Sequence, residues 1–279
     1  MKIYDAELLD GLGDIINSNM SVAYTTQLFN AEPVDFDISK FKNLDLAKAT
    51  NKDSFDLHHI QAILVTTNWN ENDDIFIPRE VWAARHTPED KPVNLEHDPD
   101  TVLGHITDCW AIDDEYKLID DSTKEEDLPQ KFHLLTSAVI YKYWHNEELL
   151  TDIVNKLITG IEAGEYFVSM ECLVNDFGYG IVGKEGSVNI LERNKDTAFL
   201  TKYLRCFGGT GVYRDKRIGR VLKNIVFSGK GFTKRPANKE SKILPKEKNI
   251  FASNKFIIPE KMVYILSNEN SNFLENQIS

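Results

Sequence analysis

The chain has 279 residues, 42% of them hydrophobic and 10% aromatic, enough for one large domain with a real core and too apolar for wholesale disorder. Its formal net charge of −12 argues against a general nucleic-acid binder, because phosphate binding draws its affinity from Lys and Arg. Cys109, Cys172 and Cys206 stand far apart and outside any CxxC pair, so reduced thiols are expected and a disulfide framework is not.

The opening "MKIYDAELLDGLGDII" lacks the apolar run of a signal peptide, and no later run is long enough to span a bilayer. A soluble, intracellular protein is therefore expected. The charge is unevenly spread. "IDDSTKEEDLP" (119–129) is strongly acidic, whereas residues 230–249 carry seven Lys or Arg against two Glu. Both read first as solvated faces, and the basic one also suits an acidic partner.

Residues 1–50 are poorly periodic and read as an N-terminal arm or peripheral segment. "HHIQAILVTT" (58–67), rich in Ile, Val and Thr, predicts a strand. "NWNENDD" (68–74) is turn chemistry, and a helix is expected after Pro78, a residue suited to the first helical turn. "TVLGHITDCWAI" and "FHLLTSAVIYKYW" predict two strands flanking the acidic loop. Leu149, Leu150, Ile153, Val154, Leu157, Ile158 and Ile161 recur at steps of three and four, predicting an amphipathic helix that stops near Gly164.

"YFVSMECLV" (166–174) predicts a strand with Phe167, Ser169, Glu171 and Leu173 on one face and Val168, Met170, Cys172 and Val174 on the other. A glycine-rich hairpin over 175–187, a strand in "VNILER", a helix in "DTAFLTKYLRCFGG" and a strand in "RIGRVLKNIVFSGKGF" follow. This order predicts an α+β fold with a mostly antiparallel sheet or barrel core and flanking helices. The expected division is an arm (1–50), an α+β domain (51–245) and a C-terminal tail (246–279).

Three constellations offer chemistry. Ser169 lies mid-strand among apolar neighbours, and His97 is one of few groups able to take its proton near neutral pH. By itself that pair specifies little, since no GxSxG elbow is present. His58, His59, His86, His97, Asp98, Asp100 and His105 form a second pool, but their spacing matches no HExxH or helical ligand pair, so no metal is expected. "GGTGVYRDKRIG" lacks the spacing of a phosphate loop and reads as turn glycines.

The order of segments adds weight to the first. "AILVTTNWNENDDIFIPREVWAAR", "KPVNLEHD", "VLGHI", "ITGIEAGEYFVSME" and "NIVFSGKGFTKRPANKES" together resemble the bacteriophage prohead maturation serine proteases over roughly residues 58–243. That family shares its fold with the herpesvirus capsid assembly protease, so the resemblance implies an assemblin-like fold. It also implies His97 as general base and Ser169 as nucleophile. The third member stays open among Glu192, Asp196 and Glu171, with Arg193 or Arg205 as an oxyanion group. This chain departs from the family at Met170-Glu171, where a small residue commonly follows the serine, and at Gly229, where many members carry an acid.

The resemblance further implies an endopeptidase without cofactor that processes scaffold and major capsid protein, as a homodimer or capsid-bound oligomer. No membrane and no specific nucleic acid is expected as partner. Its place would be the host cytoplasm, inside the assembling prohead or in the virion head. The alternative is a catalytically inactive head component built on the same fold.

Overall fold

In the computed structural model, which describes residues 1–18, 21–27, 56–70, 72–98, 100–144, 147–183, 186–233 and 262–264, one sheet of eleven strands carries the architecture. The strands are β1 (Ser21–Gln27), β2 (Leu57–Thr66), β3 (Asp74–Ile75), β4 (Pro92–Leu95), β5 (Val102–Asp113) and β6 (Phe132–Tyr141). They continue as β7 (Phe167–Val182), β8 (Val188–Leu191), β9 (Val212–Tyr213), β10 (Lys216–Thr233) and β11 (Met262–Tyr264). The path runs β11-β8-β7-β10-β4-β5-β6-β2, with β1 added to β7 and β3 and β9 added to β10. Most pairings are antiparallel, and the sheet curls into a half-barrel with few helices, a mixed α/β arrangement compatible with the α+β expectation. Much of the expected arm and nearly all of the expected tail lie outside the described residues.

The four α-helices among the described residues are α1 (Asp5–Leu9), α2 (Gly13–Ser18), α3 (Pro78–Ala84) and α4 (Glu148–Glu162). α3 begins at Pro78 and buries Val81 and Trp82 against the sheet. α4 buries Val154, Leu157 and Ile161, the apolar stripe expected from their spacing, against Ile60, Ala138, Val168 and Phe232. The alternation of β7 divides as predicted. Val168, Met170, Cys172 and Val174 are buried in the core, while Glu171 is half-buried and Leu173 exposed on the other face.

Two expectations are corrected. The glycine-rich stretch after residue 174 is no hairpin until residue 183, because β7 runs on to Val182. Gly180 sits within that strand as a packing requirement, since a Cβ there would come within 2.2 Å of the Ile75 side chain. The segment expected as a helix forms two short 3-10 turns, Ala198–Tyr203 and Arg205–Phe207. Leu200, Leu204 and Phe207 pack with Phe177 and Tyr179, so tertiary burial decides its shape over helix propensity.

The N-terminal helices are tied to this sheet by a buried ion pair. Arg193 donates through Nε and Nη2 to the Glu7 carboxylate at 2.8 and 2.7 Å, and the Thr201 hydroxyl donates to the same group at 2.7 Å. A second pair, Arg220 on Asp74 at 2.6 and 3.0 Å, fixes β10 to β3. Removing one member of such a pair leaves a buried charge uncompensated and costs about 3–5 kcal/mol.

Lys230 is the exception to this pairing. Its side chain is 0% exposed, on the core face of β10, and Nζ donates to the Thr136 hydroxyl at 3.2 Å. Burial depresses its ammonium form, with the pKa pushed down to about 7. Because the unfolded chain holds this proton up to the usual lysine range, folding stability contributed here rises from pH 7 towards pH 10 and is lost as pH falls. The slope approaches about 1.4 kcal/mol per pH unit. Lys230→Met should remove that slope: urea midpoints at pH 7, 8 and 9 should show the variant gaining most over wild type at pH 7 and least at pH 9.

Candidate active site

β7 and β10 lie antiparallel with Ser169 opposite Gly231 and Glu171 opposite Gly229. Since strand side chains alternate, Ser169 and Glu171 project from the same face, away from the core. β10 offers no side chain at either facing position. A Cβ on Gly231 would approach Asn94 Oδ1 to 2.7 Å and His97 Nδ1 to 3.1 Å, and one on Gly229 would reach Glu171 Oε2 at 3.0 Å. The two glycines are there because a ring and a carboxylate lie directly on the backbone.

The ring is that of His97. β4 runs parallel to the end of β10, and the chain then reverses tightly. Glu96 and His97 both adopt left-handed conformations, with φ of 53° and 61°. Each such conformation costs roughly 1–3 kcal/mol in a residue with a side chain. The reversal is held from β10. The Glu96 N–H donates to the Phe232 carbonyl at 2.8 Å, and the Thr233 hydroxyl donates to the Glu96 carboxylate at 2.9 Å. The result turns the imidazole back over Gly231.

There His97 bridges the two β7 side chains. Nε2 lies 2.6 Å from Ser169 Oγ and Nδ1 lies 2.5 Å from Glu171 Oε1. Asn94 Nδ2 donates to the same carboxylate oxygen at 2.9 Å. Burial of Glu171 raises its pKa, but hydrogen bonds from His97 and Asn94 outweigh that and hold the carboxyl below its ordinary value, so it is ionised at neutral pH. An ionised carboxylate only accepts. Nδ1 therefore carries the ring proton, and Nε2 presents its lone pair to the serine hydroxyl. This is the arrangement in which a serine can be deprotonated as it attacks an acyl carbon, with the imidazolium stabilised from behind.

Of the three candidates for the third position, only Glu171 is brought to His97. Glu192 is ion-paired with Lys223, and Asp196 sits in an exposed turn with its N–H on Asn194. Neither arginine faces the serine. Arg193 is engaged by Glu7 and by Asp176, which lies seven residues along β7 from Ser169 and so on the order of 23 Å away. Arg205 pairs with Asp73 at 3.0 Å. Both are structural cations with committed partners, which corrects their expected oxyanion role.

Three of the remaining histidines have partners of their own, whereas, among the described residues, His59 on β2 buries Nε2 without a hydrogen-bond partner. His86 contacts Glu89, and His105 shares a hydrogen bond with the Tyr141 hydroxyl at 2.7 Å. Among the described residues no three His, Cys, Asp or Glu gather as a metal ligand set. His133 stands in a second hydroxyl–imidazole–carboxylate row, 2.8 Å from Thr66 Oγ1 and 3.0 Å from Asp114. It is fully enclosed, with burial depressing its pKa, and Asp114 also pairs with Lys131. That row holds a sheet and a turn together, whereas His97 keeps a solvent-facing side.

Sequence reasoning missed Asn94 and Gly231 and met Gly229 only as a departure from the family pattern. The signal for the glycines was their alternation in "SGKG", since glycine inside a strand marks close approach of something to the backbone. Two substitutions test the geometry. Glu171→Gln should lower the rate of Ser169 labelling by a fluorophosphonate about 10²–10⁴-fold, because the amide can present a donor to Nδ1 and favour the wrong tautomer. Gly231→Ala should lower it at least about tenfold with little loss of fold, by lifting the ring off β10. Comparison with protein-family models, with curated proteins and with solved structures finds no match to this chain.

Proposed function

We propose that this chain is a serine endopeptidase with an assemblin-like fold, acting in phage head maturation on scaffold and capsid-protein propeptides. The observation that carries the catalytic part is the single imidazole joining Ser169 at 2.6 Å to an ionised Glu171 at 2.5 Å. In the reaction, Ser169 Oγ attacks the scissile carbonyl carbon while His97 Nε2 takes its proton. The same proton then passes to the leaving amine as the C–N bond breaks. Water, deprotonated by His97, hydrolyses the resulting ester and returns the serine. No cofactor enters these steps.

The two departures from the family pattern fit this reading. Met170 packs in the core and Glu171 supplies the acid, while Gly229 makes room for it directly across the strand pair. An inactive head component would need neither the strained reversal at His97 nor two glycines opposite the polar pair. The substrates, the homodimeric or capsid-bound state and the setting in the prohead follow from the resemblance of the segments around His97 and Ser169. The basic residues that follow Thr233 in the 230–249 stretch suit an acidic scaffold, Lys230 itself being buried.

Co-expression with the cognate scaffold and capsid proteins tests the proposal. Wild type should yield shortened products, and Ser169→Ala should leave both chains full length while retaining the wild-type melting temperature within a few degrees. Processing that continues unchanged in Ser169→Ala would sink it.

A further inference from the structure

Ser169 is 2% exposed, yet a nucleophile for polypeptide substrates has to be reached by a chain. At this point of β7 both edges are taken: Gly231 of β10 stands on one side and Thr25 of β1 on the other. β10 pairs with β7 from Phe167 to Ile181 and forms the bed of the site, so it cannot leave without dismantling the constellation. β1 is different. Among the described residues it pairs with β7 over Ser21–Gln27, opposite Leu173 to Phe167, and no strand ladder joins its other edge.

We propose, resting on the endopeptidase reading above, that β1 is an internal occupant of the substrate position. Polypeptide substrates displace it and bind extended and antiparallel to Phe167–Leu173. Main-chain hydrogen bonds to a strand edge are nearly indifferent to sequence, so they accept any extended chain, and alternate side chains then set the preference. The resident strand has Ser21, Ala23 and Thr25 level with Leu173, Glu171 and Ser169. Extended chains with small residues at alternate positions are the substrate class this register assigns. An occupied edge also keeps the serine shielded until a competing chain is abundant, as mass action requires of any displaced strand.

The rate of Ser169 labelling by a small fluorophosphonate reads the exchange in the full-length protein. Ser21→Cys with Leu173→Cys allows a disulfide between register partners, at the cost of only a half-exposed leucine. Its oxidised form should label at least tenfold more slowly than wild type and recover with dithiothreitol. Ala23→Pro with Tyr24→Pro removes two consecutive N–H groups, one of which must point at β7, and should label at least tenfold faster. Millimolar synthetic peptide SVAYTTQ should slow that proline variant back towards wild type. Equal rates in the oxidised, reduced and proline forms, or no protection by the peptide, overturn the proposal. If the proline variant fails to fold, the oxidised-to-reduced ratio decides alone. Failure of every form, a folded proline variant included, to label at all overturns the endopeptidase reading instead.

Discussion

The pairing of β7 with β10 is the constraint on which the site depends. Its register sets two glycines opposite two polar side chains, and a slip of one residue would turn Ser169 and Glu171 into the core and bring Met170 out. That slip is resisted by the other face, where Val168, Met170, Cys172 and Val174 are buried with Phe227 and Phe232. The chemistry thus borrows its precision from apolar packing on the far side of the same strands. A site built mid-strand is held more rigidly than one built on loops, and only its histidine is delivered by a turn.

Strain and charge are concentrated around that histidine. Two consecutive left-handed residues are unfavourable, and an ionised carboxylate dislikes a half-buried position. Each cost is offset locally, the first by the Glu96 N–H donating to the Phe232 carbonyl and the Thr233 hydroxyl donating to the Glu96 carboxylate, the second by donors from His97 and Asn94. Elsewhere buried charge is handled by pairing, as in Arg193 with Glu7 and Arg220 with Asp74. Lys230 receives only a hydroxyl, and burial pulls its pKa down to about 7 instead. Its neighbours in the chain are Gly229 and Gly231, so the strand that supports the imidazole on one face carries its most poorly matched group on the other.

The proposed exchange of β1 adds a dynamic element to this rigid frame. The described ladder of β1 is to β7 alone, and an edge element of this kind opens at lower free energy than the sheet centre. Coupling access to a strand exchange separates the geometry of the constellation, which stays assembled, from the exposure of its nucleophile. The acidic loop at 119–129 takes no part in this, and Asp121 within it pairs with Arg85 at 2.9 Å.

Local signals in the chain determined much of the fold. Alternation placed β7 and its two faces, Ile, Val and Thr placed β2, the three- and four-residue rhythm placed α4, and Pro78 opened α3. These signals are local because each is a periodicity matched to one element. The same alternation put Glu171 on the side of Ser169, and the resemblance of the segments pointed to His97 as the proposed base, but neither could choose Glu171 over Glu192 and Asp196. That choice is a matter of which strands become neighbours. Only the tertiary structure decided that Lys223 takes Glu192, that Glu7 takes Arg193, and that β10 lays Gly231 under a ring folded back from β4. Hydrogen bonds between residues more than seventy positions apart leave no periodic trace in a single chain, so the partner of His97 had to be found in space.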